Sequence, residues 1–169
     1  MLKYLDSAVV FQEFPDEVAL AVDITQCPCT CEGCSESYLR EDIGEFLTND
    51  AIDEMIKKHR GVSLFGLMGG DNDHEDCIRV ADYIHAKYPS LKVGMYSGFD
   101  SLDLELAKHL DYYKVGRFIM VDSLQEYGGP INFPNSNQIM YKNVNGNLLN
   151  ITQKFRKDVP NDISKYIIK

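Results

Sequence analysis

With 169 residues, 44% of them hydrophobic, the chain has the length of about one domain and the composition of an ordinary globular protein. Its formal net charge of −9 is spread along the sequence and argues against nucleic acid as a partner, because phosphate binding needs a basic patch. No run of about 18 apolar residues and no charged-then-apolar leader is present, so no membrane association is expected and the thiols read as cytoplasmic, free to bind metal.

Residues 8–11 and 18–24 are short apolar runs on either side of a Pro15-Asp16 turn signal, and they predict paired strands. The run Cys27-Pro28-Cys29-Thr30-Cys31-Glu32-Gly33-Cys34 follows. Four thiols within eight residues are denser than packing requires, and soft thiolates at short spacing select zinc or an iron–sulfur cluster. A helix is predicted over about 49–60. Thr48 or Asn49 can cap it, Asp50, Asp53 and Glu54 sit in its first turns, and Lys57, Lys58, His59 and Arg60 close it before Gly61. Residues 62–68 then read as a buried strand ending in Gly69-Gly70.

A second helix over about 73–88 places Cys77, Ala81, Ile84 and Tyr88 on one stripe, which assigns Cys77 to the core rather than to a metal. Residues 92–96 are a strand, Ser97-Gly98 a turn, 101–110 a helix with Leu102, Leu106 and Leu110 aligned, and 111–118 a further strand. Strand and helix therefore alternate through the middle of the chain, the pattern of βαβ units on a parallel sheet. Between 123 and 150 Gly, Pro and Asn accumulate and the periodicity fades, although 138–144 is strand-like and Asn145-Gly146 is a good hairpin turn. The polar tail from Gln153 is expected to be weakly ordered at its end. Without repeats or linkers, the chain reads as a single domain over 1–169.

Ligands of parallel α/β sheets bind beyond the carboxyl ends of the strands. Three candidate sites fall there: the cysteine loop, Gly69-Gly70-Asp71, and Ser97-Gly98. The glycines let backbone approach a ligand without Cβ obstruction. His59, His74, His85 and His109 lie on or next to helices and read as solvated or structural. No acid, base or nucleophile has supporting context, so no catalytic residue is assigned.

Cys27, Cys31 and Cys34 have the Cys-x3-Cys-x2-Cys spacing of radical S-adenosylmethionine enzymes, and Gly69-Gly70-Asp71 looks like that family's Gly-Gly-Glu motif. Val9-Val10-Phe11-Gln12-Glu13-Phe14-Pro15, Tyr96-Ser97-Gly98-Phe99, Gly116-Arg117-Phe118 and Asn135-Ser136-Asn137-Gln138 extend the likeness. With these landmarks the chain resembles the activating proteins of anaerobic ribonucleotide reductase over most of its length. The resemblance implies a short, incomplete TIM-like (β/α) barrel of parallel strands with outer helices. It implies a 4Fe–4S cluster on Cys27, Cys31 and Cys34 with one iron left open, and S-adenosyl-L-methionine at Gly69, Gly70, Asp71, Ser97 and Gly98. Asp71 would meet the methionine amino group. The implied partners are the reductase, which receives a glycyl radical, and an electron donor such as flavodoxin or ferredoxin. The chain departs from the family pattern at Asp71, where Glu is usual, and at Glu32-Gly33, where an aromatic often precedes the third cysteine.

Two other readings stay open at this point. A small radical enzyme acting on a metabolite would keep the cluster and S-adenosylmethionine, and a non-enzymatic adaptor would hold zinc instead. Structural zinc usually joins two separated ligand pairs, whereas this cluster pins one loop. Residues 128–138 read as a loop that orders against a partner, with Asn137 and Gln138 offering their amides to it.

Overall fold

The computed structural model describes residues 1–156. Its N-terminal strands pair as expected: β1 (Lys3–Val10) lies antiparallel to β2 (Ala19–Ile24), and Asp16 turns the chain between them at a φ of 69°. A two-residue strand, β3 (Glu45–Phe46), adds to the outer edge of β1. The middle of the chain then alternates as its periodicity requires. The elements are α1 (Asn49–Lys58), β4 (Leu64–Met68), α2 (His74–Lys87), β5 (Lys92–Tyr96), α3 (Leu104–Ala107) and β6 (Tyr112–Val115). A hairpin of β7 (Ile139–Val144) and β8 (Asn147–Asn150) turns on Asn145 and Gly146, both at positive φ.

All eight strands form one sheet in the order β3-β1-β2-β4-β5-β6-β7-β8. Its centre, β2-β4-β5-β6, is parallel, and the flanking pairs are antiparallel. The sheet is mixed and does not close, with β3 and β8 at its edges. The strand-helix alternation accounts for the parallel centre, and hairpins account for the antiparallel pairs β1-β2 and β7-β8, while β3 and β7 reach their partners over longer connections.

The helices start where side chains supply a cap. Thr48 accepts from the Ala51 amide, Asp73 from that of Asp76, and Asp103 from those of Glu105 and Leu106. That last cap explains why α3 is far shorter than the predicted 101–110 helix. Its start is delayed to Leu104, and bonds from the Lys108 and His109 amides to Glu105 and Leu106 tighten its end before Asp111 joins the next strand. Cys77 is fully buried in the main core, with its Sγ 3.4 Å from the Gly70 carbonyl, as the helical stripe requires.

Alternation along the strands sends their two faces to different work. One face carries Leu20, Val22, Phe65, Leu67, Val93, Met95 and Tyr113 into the large core that the helices cover. On the other face the pairing registers align side chains into rows. Ala21, Gly66, Gly94 and Tyr112 make one row, and the two adjacent glycines open a slot filled by Phe14. A Cβ on Gly66 would come within 2.7 Å of that ring. Phe14 meets Tyr96 and Tyr112 edge-on at centroid distances of 5.1 and 6.0 Å. The next row, nearer the carboxyl ends, is Asp23, Met68, Tyr96 and Lys114, and all four line a cavity above Phe14.

Below that slot Glu17 is buried and accepts from Ser63 Oγ at 2.7 Å, from Tyr112 Oη at 2.9 Å and from the Lys92 ammonium. Burial pushes its pKa up, but the hydrogen bonds from Lys92, Ser63 and Tyr112 more than offset this and leave it below the ordinary 4.5. Its folded pKa being depressed, its stabilisation is complete above pH 4.5 and is lost as pH falls through the lower folded value. Glu17→Ala removes the acceptor shared by three donors, of which the Ser63 and Tyr112 hydroxyls keep the Val18 and Pro15 carbonyls within reach, and is expected to cost about 1–3 kcal/mol in urea unfolding at neutral pH. The difference from the parent should shrink in acid; a constant difference down to pH 3 would contradict this linkage.

The 128–138 segment has no regular structure, yet its own side chains hold it in place. Ser136 Oγ donates to the Gly129 carbonyl at 2.9 Å, and Arg156 donates to the carbonyls of Ile131, Pro134 and Ser136. Asn137 donates to the Arg117 carbonyl and the buried Gln138 to that of Gly116, so each amide spends one N–H within the chain. The expectation for the end of the tail lies outside the described residues.

Candidate metal centre

The cysteine loop leaves the carboxyl end of β2 and is folded back on itself. Thr25 is fully buried and donates to the Ile43 carbonyl at 2.9 Å. Gln26 turns the chain at a φ of 61°, and the amides of Gln26 and Cys27 bond to the carbonyls of Glu41 and Leu39. Arg40 donates to the Cys31 carbonyl at 2.7 Å, which pins the middle cysteine of the motif. Gly33, at a φ of +70°, makes the turn between Cys31 and Cys34; a Cβ there would also meet Met120 Sδ at 2.6 Å.

Cys27, Cys29, Cys31 and Cys34 are free, half-buried thiols lining one cavity of about 560 Å³. The same cavity reaches Gly69 and Asp71 beyond β4 and Ser97 and Gly98 beyond β5. The three strand-end sites predicted from the sequence, with the exception of Gly70, are therefore neighbours around one space. Gly69 and Gly70 both have a φ near +115°, at +114° and +117°, and the space where a Cβ on Gly70 would stand is closed by Cys77 Sγ at 2.7 Å. Gly70 thus packs toward the core behind the loop.

Asp71 ties the ends of β4 and β5 together. Its Oδ1 accepts from Ser97 Oγ at 2.6 Å, and its Oδ2 accepts from the Gly98 amide at 2.7 Å. The side chain is 1% exposed, so its acceptor sites are turned mainly to the protein. Behind it stands His74, which the sequence marks only as a helix-start residue. Its Nδ1 is 2.8 Å from Asp103 Oδ2, and its Nε2 is 3.6 Å from Asp71 Oδ1. The hydrogen bond with His74 leads the contacts that hold the Asp103 carboxyl below its usual range.

The cavity is strongly acidic. Asp6, Glu13, Asp23, Glu36 and Asp71 join the four thiols in its wall, and among the described residues Lys114 is the one cationic side chain lining it. Burial pushes the Asp23 carboxyl up, with the charges of Glu36 and Asp6 adding to the effect. Burial also pushes the Cys29 thiol up to about 12, helped by the charges of Cys27, Asp71 and Cys31. Its sulfur packs on Gly98, where a Cβ would come within 2.6 Å. Lys114 is 8% exposed, and its ammonium lies 4.6 Å from the Tyr96 ring centroid. Burial pulls its pKa down to about 8 against the opposing charges of Cys31 and Asp71.

Among the described residues no three Cys, His, Asp or Glu side chains stand together as a ready-made metal site. What the loop supplies is a set of soft donors at one cavity wall, which fits iron or zinc and not a hard, oxygen-seeking cation. The comparison with known families decides between them. The model of the 4Fe-4S single cluster domain matches residues 18–127, from the start of β2 through β6 and the segment after it. The chain belongs to the 4Fe–4S single cluster domain family. No curated protein and no solved structure matches it.

An iron–sulfur protein uses cysteine thiolates as its ligands, and the thiols of this family member fit that need. All five cysteines of the chain are free, and Cys77 is sealed in the core, away from the cavity. The matched span holds the cysteine loop and all four parallel strands, so the family match and the cavity fall on the same part of the fold. Two residues of this site escaped the sequence reading, His74 and Lys114. The signal for Lys114 was an ionisable residue inside the strand Tyr112-Tyr113-Lys114-Val115, whose other members are apolar or aromatic. For His74 nothing in the sequence shows that Asp71 and Asp103 flank it.

Proposed function

We propose that this iron–sulfur protein is a radical S-adenosylmethionine activase that installs a glycyl radical on an anaerobic ribonucleotide reductase. One observation carries the proposal: Cys27, Cys31 and Cys34 share a cavity with Asp71, Ser97 and Gly98, at the ends of three adjacent parallel strands. Three thiolates would hold the cluster and leave one iron for the cosubstrate. When bound, the cluster supplies a single electron for the reductive cleavage of S-adenosylmethionine, and cofactors rather than side chains carry that chemistry.

The chain's own part is binding and shielding. Asp71 keeps the ends of β4 and β5 in register through Ser97 and Gly98. Five carboxylates around the cavity favour a cationic ligand, and the sulfonium and ammonium of S-adenosylmethionine are both cationic. No protein acid or base is needed in this reading, which agrees with the lack of a catalytic constellation in the sequence. The substrate would be a protein, with an electron donor such as flavodoxin or ferredoxin supplying the reducing equivalent.

The test mixes the reduced protein, S-adenosylmethionine and its host's anaerobic reductase without oxygen. A glycyl radical doublet should appear on the reductase by electron paramagnetic resonance. Cleavage of S-adenosylmethionine driven instead by a small metabolite, with no doublet, would assign the protein to metabolite modification.

A further inference from the structure

Lys114 is the least expected charge in this fold. It belongs to the row Asp23, Met68, Tyr96 and Lys114 that runs across the four parallel strands on the face away from the helices. It is more than nine-tenths buried, and among the described residues its ammonium makes no hydrogen bond or ion pair. Only the face of Tyr96 approaches it closely, and a cation–π contact is a modest offset for a desolvated ammonium. Taking that charge out of water is costly, and the groups that can offset the cost are the carboxylates and thiols of the cavity wall. The cavity it faces holds every cysteine of the metal-binding loop.

We propose that the Lys114 ammonium is the counter-charge of the cysteine-bound cluster and raises its reduction potential. Cysteine thiolates gather negative charge at a wall already carrying five carboxylates. Reduction adds one electron, taken from an external one-electron donor such as a reduced flavin or iron–sulfur protein. No bond or proton changes at Lys114 in that step. A fixed positive charge in a low-dielectric cavity stabilises the more negative, reduced state relative to the oxidised one. The side chain does this from the strand, held by the sheet register and by Tyr96, and so at little reorganisation cost.

The inference rests on the cluster alone and not on the activase reading, so the test omits S-adenosylmethionine. The parent protein, Lys114→Met and Lys114→Arg are reconstituted anaerobically, analysed for iron and sulfide, and titrated potentiometrically with the reduced cluster followed by electron paramagnetic resonance. Lys114→Met should load as much iron as the parent and titrate at a more negative potential, while Lys114→Arg stays with the parent. Coincident potentials for Lys114→Met and the parent would overturn the proposal. So would an equal shift in Lys114→Arg, which keeps the charge and changes only the shape. If Lys114→Met does not fold, Lys114→Gln takes its place. Loss of the cluster from both neutral variants with retention in Lys114→Arg supports the counter-charge, and loss from all three contradicts it.

Discussion

Replacing Cys31 by alanine is expected to abolish cluster binding, with iron and sulfide falling to background after anaerobic reconstitution. Cys27→Ala and Cys34→Ala should do the same, and Cys29→Ala should retain most of its iron. The distinction follows from the loop. Cys31 is held by Arg40 through its carbonyl, and Gly33 turns the chain to Cys34. Cys29 instead packs its sulfur on Gly98. The Cys-x3-Cys-x2-Cys spacing of the other three already supplies the ligands of a cluster with one open iron, which leaves Cys29 to packing. Loss of iron from Cys29→Ala as complete as from Cys31→Ala would mean four thiolate ligands and no room for S-adenosylmethionine.

Asp71→Ala is expected to have the second largest effect, and on two readouts at once. The carboxylate accepts one hydrogen bond from Ser97 Oγ and one from the Gly98 amide, both buried or half-buried and both charge-assisted. Such bonds contribute roughly 1.5–3 kcal/mol each, so the apoprotein should lose about 3 kcal/mol in urea unfolding. With the tie cut, the end of β5 loses its position beside the cysteine loop. The affinity for S-adenosylmethionine should then fall about tenfold or more, the equivalent of about 1.4 kcal/mol, with iron content unchanged. An unaltered dissociation constant alongside lost stability would confine Asp71 to a purely structural role.

The parts of this fold that local pattern determines were legible in the sequence. The capping residues and charge order of α1 and α2 match the structure to within two residues, and β5 has its predicted bounds. Asn145-Gly146 turns the hairpin it was expected to turn. Where an element's length depends on competition between a cap and a stripe, pattern was not enough: Leu102, Leu106 and Leu110 suggested a helix three residues longer at its start than Asp103 permits. Long-range register was not legible at all. Nothing local says that Gly66 and Gly94 will lie side by side under Phe14, or that Asp23, Met68, Tyr96 and Lys114 will form one row. The candidate site shows the same division. Spacing marked Cys27, Cys31 and Cys34, and the strand ends marked Gly69, Asp71, Ser97 and Gly98. The contacts of Asp71 with Ser97, Gly98 and His74 arise from strands and a helix brought together only by folding. In the 128–138 segment, composition indicated a loop but not that Ser136 and Arg156 would hold it.

The central claim is that the Cys27, Cys31 and Cys34 loop holds a 4Fe–4S cluster whose open iron faces the cosubstrate cavity. The most direct measurement is the electron paramagnetic resonance spectrum of the reconstituted, reduced protein before and after adding S-adenosylmethionine, with iron and sulfide determined on the same sample. The expected result is about four iron and four sulfide per chain, in keeping with the 4Fe–4S family, and a reduced-cluster signal whose shape changes when S-adenosylmethionine is added. A protein that binds stoichiometric zinc and no iron, or a cluster signal indifferent to S-adenosylmethionine, would contradict it.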